Sequence, residues 1–89
     1  MLNYSLLELA VLEESYALQI LTLKLTEILR NKNFPKMYQF GYQFDLNESA
    51  LESILADFKE ERLNMEVTVK KLADMIWLRA QKKSKSRES

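Results

Sequence analysis

From Leu51 to Arg79 the chain reads LESILADFKEERLNMEVTVKKLADMIWLR, and the fold turns on whether that stretch is one helix or two. Its seam runs Leu51, Leu55, Phe58, Arg62, Met65, Val69, Leu72, Ile76, Arg79, at spacings of four and three throughout. That is the register of a coiled coil or helical bundle. Ile54, Ala73 and Ala80 widen the seam, while Leu63, Val67, Trp77 and Leu78 fall outside it and hint at a second contact surface. Asp45 or Asn47 caps the start, with Glu48 facing the positive end of the helix dipole. No Gly or Pro follows before the chain end, so the expectation is one helix over about 48–82. The rival is a break near Glu60-Glu61-Arg62, where a charged residue sits in the seam; it gives two shorter helices and a monomeric three-helix bundle.

Upstream, Ser5 and Glu8 have the spacing of a capping box, and Leu6 to Asn31 contains neither Gly nor Pro. A helix is expected over about 5–31, its polar stripe formed by Glu8, Ser15, Gln19, Thr22, Thr26 and Arg30. Two apolar seams share the rest of its circumference. One runs Leu7, Val11, Glu14, Leu18, Leu21, Leu25, Ile28; the other runs Leu6, Leu9, Glu13, Tyr16, Ile20, Leu23. A helix that is apolar on two faces needs covering on both. Asn31-Lys32-Asn33-Phe34-Pro35 then stops it, because Asn terminates helices and the residue before Pro is pushed out of the α region.

The connector, about 32–47, contains Tyr38, Phe40, Tyr42 and Phe44 at strict alternation. Alternation favours a strand with all four rings on one face. Phe34, Met37, Tyr38 and Gly41 also recur at helical spacing, which leaves a short helical turn as the other reading.

Continuous helices of these lengths would be about 39 and 52 Å long, against a radius of gyration of about 12 Å for a globule of this size. Such a hairpin is a rod that cannot cover its own two-faced first helix. The expected fold is therefore all-α: two long antiparallel helices joined by an aromatic-rich connector, dimerising into a four-helix bundle with the first helices central. The helical domain covers 1–82, and the polar residues 83–89 form a disordered basic tail.

The 89 residues include no Cys and no His. Disulfides, Cys–His or Ser–His nucleophiles and the commonest zinc ligand are excluded by inventory. Net charge is zero, but it is −2 over residues 1–31, +1 over 32–47, −3 over 48–78 and +4 over 79–89. The longest uncharged stretch of the first helix, Ser15–Leu23, has nine residues, far short of the roughly 20 a membrane span needs. Glu8, Glu13 and Glu14 interrupt the place of a signal-peptide core, so the expected location is cytoplasmic.

Three groups of residues qualify as candidate sites. Phe34, Tyr38, Phe40, Tyr42, Phe44 and Trp77 form a partner-binding surface, or else the aromatics of the connector cap the end of the bundle. Stacked nucleic-acid bases are a third occupant, although Gln and Gly rather than basic residues separate the rings. Arg79, Lys82, Lys83, Lys85 and Arg87 suit phosphates or an acidic partner by counterion release, or simply solubilise the helix end. Asp57, Glu60, Glu61 and Glu66 read as a solvated face balanced by Lys59, Arg62, Lys70 and Lys71 rather than a magnesium site, which needs carboxylates from facing helices. Glu13, Glu14 and Arg62, each in an apolar seam, suggest a register-fixing ion pair.

The sequence thus points to a protein without catalytic groups, metal or cofactor, acting as a homodimer that binds another protein as a small adaptor, inhibitor or regulatory subunit. The alternative is a nucleic-acid-binding regulator that uses the basic C-terminal ends of a dimeric helical hairpin.

Overall fold

A computed structural model describes residues 8, 9 and 11–88, with side chains through Lys83. Among them the chain is helical without strands: α1 (Glu14–Arg30), α2 (Phe34–Gln43), α3 (Glu48–Lys59) and α4 (Met65–Glu88). The all-α expectation holds. The two long helices do not, because the stretch 48–82 folds back on itself between Lys59 and Met65 and the connector is itself a helix.

The three connections are built alike. After α1 the Asn33 N–H donates to the Ile28 carbonyl and the Lys32 N–H to that of Leu29. After α2 the same pair runs from Leu46 to Gly41 and from Asp45 to Tyr42, and after α3 from Arg62 to Asp57 and from Glu61 to Phe58. These are Schellman motifs, which turn the chain through one left-handed residue and satisfy the last carbonyls of the helix. Here that residue is Lys32 (φ 53°), Asp45 (φ 55°) or Glu61 (φ 63°), and never glycine. An Asn then caps each following helix: the Asn33, Asn47 and Asn64 side chains accept from the N–H groups of Lys36, Ala50 and Val67 at 3.3, 3.0 and 2.8 Å. Thr68, fully buried, donates its hydroxyl to the Asn64 carbonyl at 2.7 Å.

The break at 60–64 thus has a local cause despite the missing glycine. A side chain in the left-handed region costs about 1–2 kcal/mol, and glycine there loses about 0.5–1 kcal/mol to its own flexibility. Glu61→Gly is therefore expected to stabilise the fold by up to about 1 kcal/mol, raising the urea midpoint without changing the slope. If residues 48–82 formed one helix, the same change would lower it.

Folding back turns the long seam onto itself. Leu51 and Leu55 of α3 and Val69, Leu72 and Ile76 of α4 are all buried, so the two halves of one stripe enter a single core. Ala17, Leu21, Leu25, Ile28 and Leu29 of α1 join them, with Met37 and Phe40 of α2 and the following Phe44. α2 and α3 lie antiparallel: Phe34 meets Phe58 at one end, with ring centroids 6.4 Å apart, and Gly41 meets Leu51 at the other. The longest dimension is 41 Å and the radius of gyration 12.7 Å, close to the compact value of about 12 Å rather than that of a rod.

Three further expectations are corrected. The helix expected over about 5–31 is interrupted: Glu8 and Leu9 are helical, residues 11–13 are not, and α1 begins at Glu14 with Glu13 as its N-cap; Ser5 of the capping box lies outside the described residues. The aromatic segment is helical over Phe34–Gln43 because Asn33 caps it and Pro35 sits in its first turn, where the missing N–H costs nothing. The backbone of 83–88 continues α4 instead of forming a separate tail, as a run without Gly or Pro allows.

Candidate interaction surface

Helical geometry scatters the aromatics that alternation would have aligned. Phe40 and Phe44, four apart, turn inward together: they are 4% and 0% exposed, with ring centroids 4.9 Å apart. They are core, so neither contributes to a partner-binding surface. Tyr42 projects outward at 63% exposed, its hydroxyl 3.5 Å from the Glu48 carboxylate. Tyr38 and Trp77 are half-buried against the core. Phe34, also half-buried, has the Lys59 ammonium 4.4 Å from its ring centre, a cation–π contact. The aromatic group is thus distributed over the fold rather than gathered into one face.

The basic residues divide in a similar way. Asp45 pairs with Arg79 at 2.6 Å and with Lys83 at 3.1 Å. The Arg79 hydrogen bond, followed by that of Lys83, holds the Asp45 carboxyl below its ordinary range. Arg79 and Lys83 therefore tie the α2–α3 turn to α4. Lys82 stays exposed beside Leu78 and Met75, and the side chains of Lys85 and Arg87 lie outside the described residues.

Arg62 pairs with Asp57 at 2.9 Å and with Glu60, inside the α3–α4 turn. Glu13 and Glu14 are exposed at the start of α1, and Glu13 accepts from the Ser15 hydroxyl at 3.1 Å. The expected pairing of these acids with Arg62 is replaced by local contacts, because the break lets nearby carboxylates reach the guanidinium first. Among the described residues no three His, Cys, Asp or Glu side chains gather as metal ligands, and no helix is long and apolar enough to cross a membrane.

Among the described residues α1 carries two apolar surfaces outside the core. The first is a groove of about 520 Å³ between α1 and α4, floored by Leu18, Met65, Val69 and Ala73, with Thr22 and Thr26 on one lip. Glu66, Lys70 and Asp74 form the other lip, and Lys70 and Asp74 pair at 3.4 Å. Sequence reading placed Thr22 and Thr26 in the polar stripe and overlooked the groove. The signal was their size: short side chains on α1 facing Ala73 leave space that longer ones would fill. The second surface is the outer seam of α1, where Tyr16 is 51% and Leu23 67% exposed, with Ile20 half-buried between them. These residues belong to one of the two seams read from the sequence, of which Leu9 is buried in the core while Tyr16 and Leu23 stay exposed.

Searches against protein-family models, curated proteins and solved structures found no match for this chain.

Proposed function

We propose that the protein is a non-catalytic protein–protein interaction module, a small adaptor, inhibitor or regulatory subunit, that works as a homodimer. The observation that carries this reading is the pair of apolar surfaces left on α1 after the core is complete, one of them a groove with a polar lip. Contiguous apolar surface of this kind marks interaction sites, and a groove between two helices suits the apolar face of a partner helix with anchors at i, i+3 and i+4. The absence of His and Cys from the sequence favours binding over nucleophilic or acid–base chemistry near neutral pH.

Affinity capture from a host extract with the whole chain as bait, compared with Thr22→Arg, tests the groove. Thr22 is exposed, so Thr22→Arg leaves the core intact and fills the groove with a long charged side chain. Captured proteins are expected with the native chain and lost with the variant, while the circular dichroism spectra coincide. Capture that ignores the substitution removes the groove from the proposal.

Nucleic-acid binding is the second reading, and it rests on Lys82 and the basic residues beyond it. It is weakened because Asp45 already occupies Arg79 and Lys83. Salt-dependent retention of duplex RNA, lost on removing residues 82–89, would favour it.

A further inference from the structure

The outer seam of α1 continues past its apolar centre. At spacings of three and four it runs Glu13, Tyr16, Ile20, Leu23, Glu27, Arg30, with Glu13, Glu27 and Arg30 all exposed. Glu27 has a loose pair with Lys24 at 3.7 Å, and among the described residues the Glu13 carboxylate accepts from the Ser15 hydroxyl alone. Six positions over 18 residues repeat as a and d of a heptad, the pattern by which one helix recognises another.

A second copy of this helix can pair with it antiparallel about a two-fold axis, which matches a residue on one copy with a fixed partner on the other. Seam positions face seam positions only in registers seven residues apart, so the choices are few. In one displaced register Glu13 faces Leu23 and Tyr16 faces Ile20, which puts a carboxylate against leucine. In the other, Glu27 faces Leu23 and Arg30 faces Ile20, with the same fault. A charge desolvated against an apolar residue is strongly unfavourable. The central register sets Glu13 against Arg30, Tyr16 against Glu27 and Ile20 against Leu23, each twice by symmetry. Of these three registers it alone joins opposite charges, lets a tyrosine hydroxyl donate to a carboxylate and places aliphatic side chains together, and, unlike registers displaced further, it overlaps the whole of α1.

We infer that two copies of this chain dimerise through α1 in that central register, with Ile20 and Leu23 as the apolar middle and Glu13–Arg30 ion pairs at both ends. This rests on the homodimer proposed above and gives it an interface. It differs from the bundle expected from sequence in that each subunit contributes a core already closed by α1–α4. The groove between α1 and α4 lies on another side of α1, so a partner protein and the second copy have separate surfaces.

The test is sedimentation of the full chain over a range of concentrations, for the native protein, Arg30→Glu, Glu13→Arg and the charge-swapped double variant. The inference expects a native dimer whose dissociation constant rises about tenfold or more in each single variant, since two attractive pairs become repulsive. The double variant is expected to recover most of the loss, with circular dichroism unchanged throughout because both positions are exposed. A dimer indifferent to all three variants overturns this interface and leaves the homodimer reading standing. A native chain that stays monomeric overturns both.

Discussion

Phe44→Ala is expected to cost about 3–5 kcal/mol, and Tyr42→Ala to change stability by less than about 0.5 kcal/mol. The two aromatics are two residues apart and would be equivalent on one face of a strand. In the structure Phe44, the C-cap of α2, is fully buried against Phe40 while Tyr42 in the helix is 63% exposed. Truncating Phe44 leaves a cavity where two rings had packed, and the cavity adds to the lost transfer free energy. Small domains have about 5–15 kcal/mol in total, so this variant is expected to lose much of its helical signal at modest urea concentration. Urea titration followed by circular dichroism decides the matter. Similar losses for the two variants would mean that the segment is not helical or that α2 packs through its other face.

The same segment shows where sequence and structure part. Alternating rings satisfy period two as far as Phe44, yet Phe34, Met37, Phe40, Gly41 and Phe44 fall at spacings of three, three, one and three, and four of these five are buried. The deciding information stood upstream, in Asn33 and Pro35, which favour a helix start. Asn was the more general signal. After Asn3 the chain has four, Asn31, Asn33, Asn47 and Asn64, and each lies at a helix end. Asn31, Asn33 and Asn47 were legible as such. Asn64 sat inside an unbroken heptad seam, and the seam won the reading because Leu51–Ile76 packs equally well folded or extended. The left-handed Glu61 carries no composition signal at all.

The surface was less legible than the core, for a related reason. The two seams of α1 were visible as a periodicity, and one of them remains exposed at Tyr16 and Leu23. What periodicity could not supply was which helix covers the other seam, since that depends on the turn at 60–64. Once α4 folds back, it packs on α1, and the groove lined by Leu18 and Val69 follows from that docking. The link from sequence to this groove thus passes through one turn whose central residue is Glu61.

Gly41→Leu is expected to destabilise the fold by about 1–3 kcal/mol even though it replaces glycine inside a helix. Helix propensity alone predicts a gain approaching 1 kcal/mol. Gly41 is the chain's one glycine, with no positive φ, so it is not there for backbone freedom. It is there for proximity: a Cβ would stand 2.6 Å from Leu51 Cδ2 and 4.0 Å from Leu46 Cδ1. Leu51 is 2% exposed and part of the core cluster, so a leucine at 41 has to displace the Leu51 side chain against its core neighbours or part α2 from α3. Leu51→Ala alone removes core volume and is expected to cost about 2–5 kcal/mol. Combined with Gly41→Leu the two changes exchange volume across the contact, and the double variant is expected to be more stable than the sum of the singles by about 1–2 kcal/mol. Urea midpoints for the four proteins supply the cycle. Additive losses, or a stabilised Gly41→Leu, would mean that α2 and α3 are farther apart than this contact, and the antiparallel seating of α2 on α3 would have to be redrawn.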